Sequence, residues 1–151
     1  MVAASTSAQA APPAKALPPR QDLPLVLRET LHATMHRHGE ELTFLLADVV
    51  LLQYEEAEEL ADLLAHEPKL GRPTPGDTDS LNALLPEAFF IHQAQLRERA
   101  ALLAEAARAR DDAGLVKAFG ALAETCVGCH SSYLNDPLNA VPDHDEDEAR
   151  K

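Results

Sequence analysis

The sequence predicts an all-α chain folded as an antiparallel up-down-up-down four-helix bundle. Three observations point there. The apolar content, 46% of 151 residues, is carried mainly by Ala and Leu, both strong helix formers, while aromatics make up 4% and Trp is absent. No stretch alternates apolar and polar residues as a half-buried strand does. Segments with a helical apolar period are joined by mostly short turns, which makes consecutive helices pack antiparallel. A chain of 151 residues is long enough for one domain with a real core.

The first helix starts near Pro24, with Asp22 placed to cap it and Pro24 at an early helical position. Its apolar stripe runs Leu31, Met35, His38, Leu42, Leu45 and Val49, a spacing that holds one face. It turns near Leu52–Tyr54. The second helix, "YEEAEELADLLAHE", opens on acidic residues that suit a helix N-terminus and stops at Pro68. Residues 67–85 concentrate turn formers and make the long connection, with a helical piece from Ser80. The third helix runs from Pro86 to Arg110 and turns Phe89, Leu96, Leu103 and Ala107 inward. A short turn, "RDDAG", follows, with Asp112 as the cap of a fourth helix that runs from Gly114 to about Asn135.

The ends differ in composition. Residues 1–21 are rich in Ala, Pro and Ser and read as a flexible linker without an apolar run of signal-peptide length or a transmembrane helix. Residues 22–137 form the folded domain, and 138–151, with "DHDEDEARK", form an acidic tail. The formal net charge of −12 excludes a phosphate-binding stripe and with it nucleic acid. It leaves positively charged partners open. Glu55, Glu56, Glu58 and Glu59 read as a solvated helix face, with a docking patch for a basic partner as the alternative. No Ser-His-Asp set, Gly-rich phosphate loop or paired-carboxylate site is present, so no enzyme chemistry is expected.

The chemistry-bearing stretch is "ETCVGCHSSYL". It holds the only two cysteines, Cys126 and Cys129, with His130 directly after. Positions i, i+3 and i+4 share one helix face. A structural zinc site needs about four ligands, and no second cysteine pair exists. A thioredoxin-like pair belongs at a helix N-terminus in a βαβ setting, whereas this one lies deep in a helix. The pattern C-x-x-C-H instead suits covalent attachment of one haem c. Two thiols add to the two porphyrin vinyl groups, and the adjacent imidazole becomes the proximal iron ligand.

With "CVGCH" in the last helix, near the C-terminus, the chain resembles the class II c-type cytochromes, cytochrome c′ and its low-spin methionine-ligated relatives, over about residues 24–135. "CHSSYL" is similar to the family's CH-x-x-Tyr/Phe ending, with Tyr133 in the aromatic place. Leu134 stands where the family often has a basic residue. The resemblance implies a haem against the C-terminal helix, thioether links from Cys126 and Cys129, and His130 as axial ligand. A homodimer through the first two helices is known in the family's architecture, and covalent attachment, which needs reduced thiols until the haem arrives, points to the periplasm.

By the same resemblance, the first helix covers the distal side of the iron. An apolar residue there leaves five-coordinate iron open to small gases. A methionine gives six-coordinate iron suited to electron transfer. "LHATMHRHG" offers His32, Met35, His36 and His38. Met35 and His38 lie within the apolar stripe, His32 at its edge and His36 further out. Met35 also stands about five helical turns before the second helix, similar to the family's distal spacing. It is the expected ligand, with His38 and His32 as rivals. If Arg28 matches the arginine common early in the family's first helix, His32 takes the place. Core packing without ligation is the alternative for Met35.

Phe89 is expected to pack on the porphyrin or in the core, and His92 to be solvated. Arg28, Lys117 and Arg97 are candidates to neutralise haem propionates, or ordinary surface charges. His66 and His144 have no assigned role. The expected function is an electron carrier cycling between Fe(II) and Fe(III), meeting a redox partner with a basic surface. A five-coordinate gas-binding protein for NO or CO is the alternative.

Overall fold

The computed structural model describes residues 23–73, 76 and 81–133. The linker 1–21, Asp22, Leu134, Asn135, the acidic tail 138–151 and His144 lie outside them. Among the described residues there are four α-helices and no strand: α1 (Leu25–Val50), α2 (Tyr54–His66), α3 (Glu87–Arg108) and α4 (Asp112–Tyr133). A 3-10 turn, Leu81–Leu84, supplies the helical piece expected in the long connection. Helix ends fall within a residue or two of those the sequence predicts. Contacts join α1 to α2, α2 to α3, α3 to α4 and, most lightly, α4 back to α1, closing a four-helix bundle.

The ends of the helices correct two expectations. Pro24 is extended, at φ −52° and ψ 140°, and so precedes α1 as its N-cap residue. Its carbonyl still accepts the Arg28 N–H at 3.0 Å. The cap of α4 is Asp111, not Asp112: Asp111 Oδ1 accepts the Gly114 N–H at 3.1 Å. A Cβ at Gly114 would run into that carboxylate, 2.9 Å from its Cγ, so the glycine makes room for the cap. Asp112 instead accepts the Tyr54 hydroxyl at 2.6 Å and ties the start of α2 to the start of α4.

Both short turns use one device. Gln53 N–H reaches Asp48 O at 2.8 Å and Asp111 N–H reaches Ala106 O at 3.0 Å, each across a residue in the left-handed region. These residues are Leu52 (φ 55°) and Arg110 (φ 52°). This is the six-to-one closure of a helix C-terminus, here without the usual glycine.

The core is in two parts. The larger packs Leu45 and Val49 of α1 and Leu115 and Leu122 of α4 around α2 and α3. There Ala57, Ala61 and Ala65 of α2 and Ala100, Ala104 and Ala107 of α3 are buried, and such small side chains let two helices lie close. The smaller part joins Leu23 and Leu27 to Leu85 and Phe90, with Leu31, Leu70 and Phe89 at its edge. Phe90, adjacent to the expected Phe89, is the more deeply buried of the two. Glu58, read as part of a solvated face, is half-buried and accepts from Arg108 Nε at 2.8 Å.

Asp111→Ala should lower stability by about 1 kcal/mol, the usual cost of losing a side-chain N-cap. Thermal unfolding of the haem-loaded protein measures it. An unchanged melting temperature would show that water replaces the cap at no cost.

Candidate functional site

A cavity of about 310 Å³ separates the two parts of the core. Every helix except α2 gives it a wall. From α1 come Leu31, Thr34, Met35, His38 and Leu42; from α3 come Phe89, His92, Gln93 and Leu96. From α4 come Thr125, Cys126, Cys129 and His130, and residues 67–70 close the remaining side. The motif thus does what its helical spacing predicts. Both cysteines are half-buried and His130 is exposed, yet all three reach the same cavity. Burial raises the Cys126 thiol, and burial together with the neighbouring Cys126 pushes Cys129 up to about 11. Both are therefore protonated at neutral pH and poor nucleophiles in this setting.

Arg99 fixes the turn of α4 that carries Cys126. Its Nη1 donates to the Ala121 carbonyl, to Thr125 Oγ1 at 2.9 Å and to Glu124 Oε2 at 3.2 Å. Thr125 is the one buried polar residue among the described residues. Sequence reading passes over Arg99, since its partners lie on another helix, 22 to 26 residues away.

On the α3 wall, His92 is not solvated as the sequence suggests. Its ring is half-buried and lines the cavity, and its Nδ1 is buried without a hydrogen-bond partner. Its Cε1 lies 3.6 Å from where a Cβ at Gly128 would stand, an ordinary contact between the motif and α3. Tyr133 does not line the cavity. It meets the His92 ring edge-on, with centroids 6.4 Å apart, and so supports the wall from behind. Phe89 lines it as expected, edge-on to Phe90 at 5.7 Å.

The α1 wall sorts the four candidate distal ligands. His32 is exposed and off the cavity, and His36 is exposed beside Glu40 at 3.6 Å. Met35 and His38 both line it. Met35 remains 37% exposed. His38 Nε2 lies 2.8 Å from Glu67 Oε2. The cations proposed for propionates do not sort as expected. Arg28 and Lys117 are not at the cavity, and Arg97 donates to the Glu67 carbonyl at 2.9 Å from behind it. Lys69 is the lysine in the lining.

Two thiols and an imidazole on one wall, an otherwise largely apolar slot and a buried ring nitrogen lacking a protein partner fit a flat apolar group with polar edges. A zinc site is not formed: among the described residues no group of three or more His, Cys, Asp or Glu is placed to hold a metal ion.

The sequence model of one family, described as cytochrome c′, matches residues 48–134, more than half of the chain. The chain belongs to the cytochrome c′ family. Searches of curated proteins and of solved structures return no match. As a member of the cytochrome c′ family it is a haem-binding cytochrome, and the match spans α2, α3 and the motif on α4. It begins at Asp48, although the resemblance in the sequence reaches back to about residue 24. The part of α1 that lines the cavity, Thr30 to Leu42, therefore lies ahead of the matched span.

Arg99→Leu should destabilise the haem-loaded protein by about 2 kcal/mol, because hydrogen bonds from a charged donor are lost and Thr125 stays buried. Chemical denaturation measures it. A loss indistinguishable from zero would mean that α4 holds its turn without the brace.

Proposed function

We propose that this chain is a monohaem c-type cytochrome that carries electrons, with one haem held covalently by Cys126 and Cys129. The observation behind it is the meeting of three features at one cavity: the C-x-x-C-H face of α4, an apolar slot that divides the core, and an uncommitted methionine on α1. When bound, the haem supplies a one-electron Fe(II)/Fe(III) couple.

The chain's own groups do the rest. Cys126 and Cys129 would hold the haem as thioethers, each thiol adding its S–H across one vinyl double bond, and His130 and Met35 would be the iron's ligands. Leu31, Leu42, Phe89 and Leu96 line the cavity and would exclude water from the couple, which with a thioether ligand would favour the reduced state. Thiols this protonated suit attachment before the cavity closes around them.

Function as a carrier rather than an enzyme rests on the lack of any further reactive constellation in the sequence. The net charge of −12 supports a redox partner with a basic docking surface. Among the described residues no helix is long and apolar enough to cross a membrane. Work in the periplasm follows from the attachment chemistry, which is carried out beyond the cytoplasmic membrane. A homodimer through α1 and α2 would cover the exposed Phe44, Val50 and Leu63, and sedimentation velocity of the haem-loaded protein reads it directly.

Replacing Cys126 and Cys129 together with Ala should abolish haem that survives denaturing electrophoresis. The emptied cavity costs at most about 20–30 cal/mol per Å³, several kcal/mol over its volume, so the variant should also be close to unfolding. Haem retained through denaturation would overturn the thioether assignment.

Met35→Ala should convert the reduced absorption spectrum from low-spin to high-spin and open a CO site, with the haem still attached. The corresponding His32 variant should leave the spin state unchanged. If the unaltered protein is already high-spin and binds CO, Met35 is only a wall of the cavity, and gas binding replaces electron transfer as the function.

A further inference from the structure

Two α1 side chains in the cavity wall carry an atom able to bind iron, Met35 and His38. Imidazole is a good ligand for iron in either oxidation state. A histidine left free on that wall would compete with the thioether, so what holds His38 matters.

His38 is held by Glu67. Nε2 and Oε2 are 2.8 Å apart, and the two side chains are only 13% and 10% exposed. Arg37 Nη2 reaches the same carboxylate oxygen at 2.5 Å. The carboxylate is itself anchored. The Glu67 carbonyl accepts from Arg97 on α3 at 2.9 Å. Three residues on, the side chain of Gln93 pairs with both backbone groups of Leu70, accepting its N–H at 3.0 Å and donating to its carbonyl at 2.9 Å. Residues 67–70 are thus strapped along α3, and the Glu67 side chain reaches from the strap to α1.

The chemistry of the contact decides which nitrogen is occupied. Burial alone would raise the Glu67 carboxyl, but the hydrogen bonds and charges of His38 and Arg37 outweigh it and hold it below its usual range. An ionised carboxylate only accepts hydrogen bonds, so Nε2 of His38 must carry the hydrogen. Nε2 so engaged has no lone pair for a metal, and ligation through it requires the Glu67 contact to break.

We propose that Glu67 selects the distal ligand: it keeps His38 engaged through Nε2–H and so reserves the distal side of the iron for Met35. Glu67 is a positioning residue and touches neither the haem nor the iron. This rests on the haem reading above.

The test is axial ligation in the haem-loaded Glu67→Leu variant, read by ferric electron paramagnetic resonance and by the reduction potential. The expected result is a bis-imidazole signal in most of the ferric iron and a potential below that of the unaltered protein. Adding His38→Ala should remove both changes. If the unaltered protein is five-coordinate, Met35 is not a ligand and the proposal is overturned. Arg37→Leu, which spares the His38–Glu67 contact, should leave ligation as it was.

Should Glu67→Leu not accumulate, Glu67→Gln keeps the shape with a weaker, neutral acceptor and should show the same change in smaller proportion. A merely structural Glu67 would lower the melting temperature without moving ligation or potential, and that result overturns the proposal. A pyridine haemochrome assay on the same samples separates the two readings. Absence of haem from the unaltered protein overturns the site itself, whereas haem with unchanged ligation overturns only the role of Glu67.

Discussion

The constraint on which this structure depends is a core interrupted by a cavity. α1 is packed at both ends, through Leu27 into the smaller apolar cluster and through Leu45 and Val49 into the larger. Between them, Leu31, Met35 and Leu42 face a space with no protein in it. Close-packed interiors tolerate few voids larger than a water molecule, because atoms lining a gap lose their contacts outright. A helix that spends three turns over such a gap gains stability from whatever fills it. The site is therefore a structural element as well as a chemical one. Helix α4 places its reactive residues where the void begins, one turn beyond its last buried leucine, Leu122.

Around this void, polar contacts take over from apolar packing. Gln93 and Arg97 bind backbone groups of residues 67–70, Arg99 binds α4 below Cys126, and Glu67 crosses to α1. Replacing a buried ion pair by apolar groups is often neutral or favourable for stability, so the Glu67 contacts are weak evidence of stabilisation. What they set is position. Van der Waals contact would let α1 slide or rotate over a featureless apolar slot, while a carboxylate shared by Arg37 and His38 fixes one turn of it. The void and the polar frame belong together: the first removes the packing that sets a helix's register, and the second restores the register at its rim.

Much of this is legible in the sequence, for reasons that can be stated residue by residue. Helix positions follow from local propensity and from Pro24, Pro68 and Pro86, all near-neighbour effects. That Cys126, Cys129 and His130 share a face follows from helical geometry alone. Met35, His38 and Phe89 belong to periodic stripes, and all three do line the cavity. What stays hidden depends on residues far apart in the chain. The partner of His38 is 29 residues away, and that of Arg99 lies on another helix. His92 looks like a polar residue on the outer side of α3 until α4, with Gly128 and Tyr133, is set against it. Asp111 and Asp112 are adjacent and chemically identical, and only the left-handed Arg110 decides which of them caps.

The same division bears on function. The helices from α2 through the C-x-x-C-H motif on α4 lie within the matched span that makes the chain a cytochrome. The α1 wall between Thr30 and Leu42, on which the proposed choice between carrier and gas-binding protein turns, lies ahead of that span. Family membership and the proposed sixth-ligand chemistry thus rest on different parts of the chain. On this α1 the wall offers the Met35 thioether and an imidazole, His38, that is hydrogen-bonded to Glu67. On the proposal above, a histidine kept at the wall but hydrogen-bonded through Nε2 lets one ligand be chosen over another.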